Sequence, residues 1–171
     1  MEYLCAHKLI DEHGDSLYRF CRRLTYSKED ADDLFQETFL KVLERPHTLS
    51  ASDNPQSVLF STTLYIWKSW KRKYARRKRI APICELDENV SSLGGVEDSL
   101  IEQEENQLVR DLVDALPDKF KIPIFLYYMS EFTVHEVAKT MSLPVGTVKS
   151  RLFKARKLIE KGLLPYEKPR H

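Results

Sequence analysis

Between Thr133 and Arg156 the chain reads TVHEVAKTMSLPVGTVKSRLFKAR, a stretch that leaves room for little but two short helices meeting at a tight turn. Thr133 and Glu136 stand at the T-x-x-E spacing of a capping box, where each side chain satisfies a backbone amide at the helix start. Val134, Val137, Ala138 and Met141 recur at helical intervals and give the first helix one apolar face. Ser142-Leu143-Pro144 breaks that run, with the small Gly146 close behind. Pro144 suits a first helical turn, where its missing amide costs nothing, and Val148, Leu152, Ala155 and Ile159 form the apolar stripe of the helix that follows. Its other faces carry Lys149, Ser150, Arg151, Phe153, Lys154, Arg156 and Lys157. In a helix-turn-helix the second helix enters the major groove, and these side chains supply bidentate donors, a hydroxyl and an apolar contact for a thymine methyl. The plainer alternative is a helical hairpin with a solvated basic face. Capping box, turn and glycine together argue against it, so promoter or operator DNA is the first partner the residues suggest.

Net charge hides a segregation. The formal charge of the 171 residues is only +1, yet Lys68, Lys71, Arg72, Lys73, Arg76, Arg77, Lys78 and Arg79 form a block with no acid among them. Glu85, Asp87, Glu88, Glu97, Asp98, Glu102, Glu104 and Glu105 form the opposite block with no base. Local fields rather than net charge should therefore govern binding. A hydrophobic content of 42% is enough for one globular core or two small ones. No apolar run has the length of a membrane span and the N-terminus lacks the layout of a secretory signal, which implies a cytoplasmic protein without membrane insertion. Cys5, Cys21 and Cys84 are odd in number and widely spaced, and with the histidines they make no recognised ligand spacing. Neither a disulfide framework nor a metal or other cofactor is expected.

Helical periodicity runs through the rest of the chain. Leu17, Phe20, Cys21 and Leu24 mark a first helix ending near Tyr26. Ser27 and Asp30 open a second, whose apolar face is Ala31, Leu34, Phe35, Thr38 and Val42 and which Pro46 stops. After the loop HTLSASDNPQS, Asn54 and Pro55 cap and start a long third helix that runs into the basic block, with Leu59, Thr62 and Ile66 as core positions. The polar, acidic stretch from Pro82 to Ser99 has the makeup of a linker. Leu108, Leu112 and Leu116 define another helix, and Pro117-Asp118 starts the next. Without any long period-two alternation, the chain is all-α: a bundle of about three helices over residues 1–81, an acidic linker over 82–99, and a bundle of about four over 100–171 that ends in the helix-turn-helix.

Two further surfaces carry chemistry. Asp30, Asp33 and Glu37 fall at i, i+3 and i+7, an acidic stripe flanked by Gln36 that suits a basic protein surface or a solvated helix face. A magnesium-dependent nucleic-acid enzyme is the sharper rival for such acids, but no second acidic cluster or nucleophile accompanies them. Trp67, Trp70 and Tyr74 repeat at the same spacing among Lys68, Lys71, Arg72 and Lys73. Rings interleaved with cations suit unpaired bases, the rings stacking and the cations tracking phosphates. The alternative for one or two of these rings is a place in the core.

Two separated segments resemble the extracytoplasmic-function sigma factors of bacterial RNA polymerase. LYRFCRRLTYSKEDADDLFQETFLKVLE is similar to the core-binding part of that family's first domain, with the D-L-x-Q-E-x-F pattern at Asp33-Leu34-Phe35-Gln36-Glu37-Thr38-Phe39. LPDKFKIPIFLYYMSEFTVHEVAKTMSLPVGTVKSRLFKAR is similar to its second domain, including the L-P opening and the G-T-V-K-S-R-L recognition helix. The resemblance implies a non-catalytic promoter-specificity subunit that binds core RNA polymerase and helps to open promoter DNA, with an anti-sigma factor as a further conceivable partner. It implies contacts to core polymerase from Asp33, Gln36 and Glu37, and to the melted minus-ten element from Trp67, Lys68, Trp70, Lys71, Arg72, Tyr74, Arg76 and Arg77. For the duplex minus-thirty-five element it implies Lys149, Ser150, Phe153 and Lys154 as readers, with Thr147 and Arg151 near phosphates. Around the third helix the chain departs from the family's commoner pattern, showing Leu59-Phe60 where many members read W-L. The other reading is a conventional helix-turn-helix regulator that binds DNA without polymerase, recognisable by dimeric binding to a palindrome.

Overall fold

The computed structural model describes residues 2–45, 54–80 and 100–166, without the side chains of 2–6, 80, 100–106 and 166. The described elements are helices joined by turns, and the chain divides into two compact units, Met1–Ser91 and Ser92–His171. Pro46, most of the loop that follows it and the 82–99 linker lie outside the described residues.

The first unit packs helices α1 (Glu2–Leu24), α2 (Lys28–Leu43) and α3 (Pro55–Ile80) around one core. Leu17, Phe20, Cys21 and Leu24 are buried as their spacing requires, as are Ala31, Leu34, Thr38 and Val42 on α2, while Phe35 is half-buried and Phe39 joins the core. From α3 come Leu59, Phe60, Leu64 and Ile66, and the Phe20 and Phe60 rings meet at 4.9 Å between centroids. Thr62 is only half-buried; Thr63 takes the core position, its Oγ1 3.1 Å from that of Thr38. Each hydroxyl also donates to a carbonyl of its own helix, Thr38 to Leu34 at 2.7 Å and Thr63 to Leu59 at 2.9 Å, so both polar groups are satisfied where α2 meets α3 in the core. Helix ends are satisfied as the sequence anticipates. Ser27 Oγ accepts the Asp30 amide at 3.0 Å and Asn54 Oδ1 the Ser57 amide at 3.1 Å. α1 stops at Leu24 rather than Tyr26: Thr25 Oγ1 donates to the Cys21 carbonyl at 2.8 Å, and the Trp67 indole donates to the Leu24 carbonyl at 2.8 Å. Burial pushes the Cys21 thiol up to about 12, so it is an inert apolar filler.

The second unit contains α4 (Leu100–Asp114), α5 (Asp118–Ile124), a π-helical turn (Phe125–Met129), α6 (Val134–Met141), α7 (Val145–Leu163) and a closing 3-10 turn (Leu164–Tyr166). Its core is Leu116, Ile122, Ile124, Phe125, Leu126, Phe132, Val137, Val148 and Leu152 with their neighbours. Periodicity gives no warning of the π turn, in which the Ser130 amide reaches the Phe125 carbonyl at 3.1 Å. Gly162 is a packing residue: a Cβ there would come within 2.5 Å of a Leu112 methyl on α4.

The turn between α6 and α7 is not built on its glycine. Gly146 lies inside α7 without a positive φ, and a Cβ there would meet nothing within 4 Å. Ser142 instead adopts the left-handed conformation, φ 53 and ψ 47. The Leu143 amide bonds the Ala138 carbonyl at 2.9 Å and the Ser142 amide the Lys139 carbonyl at 3.2 Å, the paired bonds of a Schellman motif. Serine is strained at φ 53, so Ser142→Gly should stabilise the second unit by about 0.5–1 kcal/mol, after allowing for the glycine's greater freedom when unfolded. Its thermal midpoint should rise by a few degrees; a fall would contradict the left-handed assignment.

Candidate nucleic-acid interface

Thr133 and Glu136 form the full capping box: Thr133 Oγ1 accepts the Glu136 amide at 3.3 Å and Glu136 Oε2 accepts the Thr133 amide at 2.8 Å. This fixes where α6 begins, and the Schellman turn fixes where it ends, so α7 is presented at a set angle. On α7 the buried positions Val148, Leu152 and Ala155 face the core, and Lys149, Ser150, Phe153 and Lys154 face solvent. Thr147 and Arg151 are half-buried at the flanks of that row. Phe153 is 61% exposed, an apolar ring held in water among cations. Lys157 Nζ lies 6.0 Å from that ring's centroid and 3.0 Å from Glu160 Oε2, so part of its charge is spent within the helix.

The long α3 outruns its bundle, and every residue from Lys71 to Arg79 is exposed. Trp67, Trp70 and Tyr74 do share one face, but it is the continuation of the core face, and burial fades along it. Trp67 is 7% exposed, Trp70 half-buried and Tyr74 52% exposed. Trp67 is therefore not a stacking platform. Its indole is tied to α1, and Lys71 Nζ sits 4.8 Å from its ring centroid. Sequence reasoning overlooked Tyr65, which shares the outward face with the anticipated Lys68, Arg72 and Arg76 at i, i+3, i+7 and i+11, all exposed. Tyr65, 59% exposed with Lys41 Nζ 5.5 Å from its centroid, borders a groove of about 330 Å³ lined also by Val42, Arg45, Val58, Ser61 and Thr62. The same helical count that singled out the tryptophans would have found this stripe.

On α2, Asp33, Gln36 and Glu37 are all exposed, opposite Ala31, Leu34 and Thr38. Two of the surfaces anticipated separately meet here: the Trp70 indole donates to Glu37 Oε2 at 3.2 Å. Beside the stripe, Tyr18 Oη donates to Asp32 Oδ1 at 2.7 Å, a hydrogen bond to the carboxylate that holds the phenol's pKa above its ordinary value.

Fold and surface thus define an all-α protein of two units that carries a helix-turn-helix in the second. The Sigma-70 region 2 family model matches residues 9–79 and the Sigma-70 region 4 model matches residues 106–159. The chain is 27% identical over 169 residues to the ECF RNA polymerase sigma factor SigW of Bacillus subtilis, an alignment covering 91% of this chain and 87% of that one. It is 27% identical over 157 residues to SigM of the same organism, covering 88% and 93%. The fold matches the sigma factor RpoE of Bartonella quintana, solved with the anti-sigma factor NepR, with a TM-score of 0.73 at 20% identity over 92% of this chain and 96% of that one. The chain belongs to the extracytoplasmic-function sigma factors. Its function is to bind core RNA polymerase and direct promoter recognition, strand opening and initiation.

Proposed function

We propose that residues 1–81 dock on core polymerase through Asp33, Gln36 and Glu37 and receive the melted minus-ten strand along α3. There Trp70 and Tyr74 offer ring faces, and Lys68, Lys71, Arg72, Arg76 and Arg77 offer charge. The groove beside Tyr65, with Lys41 and Arg45 at its rim, has the chemistry to hold an extruded base: an aromatic wall, two hydroxyls and cations for the adjoining phosphate. Residues 100–171 read the duplex minus-thirty-five element, Lys149, Ser150, Phe153 and Lys154 meeting base edges and Thr147 and Arg151 the phosphates. The acidic stretch 82–99 is the linker between them.

The observation that carries this reading is the outward row of α7, which places two cations, a hydroxyl and a bare phenyl ring on the solvent face of a helix-turn-helix. The role is non-catalytic, polymerase performing the chemistry, and it is carried out in the cytoplasm where polymerase and promoter are found. An anti-sigma factor is a fitting protein partner, since RpoE of Bartonella quintana was solved with one. Run-off transcription tests the reading. Purified core polymerase should yield a discrete promoter transcript only when the chain is added. Tight dimeric binding to a palindrome, with no transcript on adding core, would establish the conventional regulator instead.

A further inference from the structure

We propose that Tyr128 and Arg156 form a phosphate clamp at the edge of the recognition face, an inference that rests on the reading of α7 as the helix that enters the groove. Arg156 lies two helical turns beyond Lys149 and one beyond Phe153, so it continues their row. Its Nε donates to Tyr128 Oη at 2.8 Å, and its guanidinium carbon stands 5.8 Å from the centroid of the Tyr128 ring. Tyr128 projects from the π-helical turn, is 54% exposed, and is itself braced edge-on by Tyr127 at 4.9 Å between centroids. The turn that sequence periodicity failed to anticipate is thus what brings a tyrosine to the recognition helix.

The chemistry of the pair favours an anion. Arg156 is oriented by a neutral phenol rather than a carboxylate, so its charge stays whole, in contrast to Lys157 beside Glu160. With Nε engaged, the Nη donors carry no other hydrogen bond among the described residues, and neither does the Tyr128 hydroxyl hydrogen. A fixed guanidinium edge beside a phenolic donor matches two oxygens of one phosphate, and holding the arginine in advance reduces the side-chain entropy lost on binding. A phosphate contact positions the helix without reading sequence, so Tyr128 and Arg156 would act on every promoter alike.

The experiment uses holoenzyme, reconstituted from core polymerase and the full chain, on promoter duplexes that the wild type selects from a library randomised across the upstream element, and on scrambled duplexes. Arg156→Ala should weaken binding to both about tenfold and reduce the salt slope by about one unit. Tyr128→Phe keeps the ring but removes the hydroxyl; it should weaken both duplexes severalfold and add nothing in the Arg156→Ala background. Arg156→Gln, which keeps a polar hydrogen-bonding side chain but neither the charge nor the reach, should match Arg156→Ala. An unchanged salt slope, a loss confined to one base position, or additive losses in the double variant would overturn the clamp. Phe153→Ala separates the two levels: if it leaves the preference for selected duplexes intact, the recognition-helix reading fails. If it abolishes that preference while Arg156→Ala keeps the full salt slope, the clamp alone fails.

Discussion

Substituting lysine for Asp33 and Gln36 together should weaken association with core polymerase by about 2 kcal/mol or more, roughly thirtyfold, while leaving helical content unchanged. Both side chains are exposed on α2 and point away from Leu34 and Thr38, so the core that holds α2 in place is untouched. The change replaces an acidic edge by a basic one where a basic partner surface is proposed to land, so the loss should shrink as salt screens the repulsion. Glu37 belongs to the same stripe but makes a poorer probe. Its carboxylate accepts the Trp70 indole at 3.2 Å, and altering it would disturb α3 as well as the docking face. Pull-down of core subunits with the double variant at low and high salt decides the matter. Wild-type association at low salt would remove α2 from the docking surface.

The fold was legible because helices announce themselves through apolar spacing. Leu17, Phe20, Cys21 and Leu24 could all be placed from intervals of three and four, and the cap at Thr133 from its glutamate three residues on. What escaped notice were features with no periodic signature. The π turn at Phe125–Met129 preserves apolar content while changing the hydrogen-bond step, so Tyr128 could not be placed beside Arg156 from spacing. Ser142 in the left-handed region is a position where glycine would be expected, and the nearby Gly146 drew attention to itself instead. The tryptophan stripe was legible as a face, but which of its rings belong to the core was not. Spacing shows which residues share a face but not how far along a helix the core extends. Trp67 lies inside that limit, Trp70 at it and Tyr74 beyond it.

Trp70, at that boundary, yields the second large expected effect: Trp70→Ala should reduce transcription from a duplex promoter by about 1–3 kcal/mol, or roughly five- to more than a hundredfold, with partial rescue on a template whose minus-ten region is already melted. The reasoning starts from the hydrogen bond to Glu37, which fixes the indole's edge and leaves its face to be covered by a base. Stacking requires a base face that pairing hides, so a ring that holds an unpaired base favours the open strand over the duplex. Losing that ring is felt most where opening must still be driven. The same variant also frees the Glu37 carboxylate, and a defect transmitted through core docking would look different: association with core polymerase would fall, and duplex and bubble templates would suffer equally. Measuring core association alongside both templates separates the two routes. Intact association with rescue on the bubble assigns Trp70 to the melted strand. Equal defects on both templates would make it a brace for the docking face, and the determinants of melting would then be sought at Tyr65 and in the Lys41–Arg45 groove on the opposite side of α3.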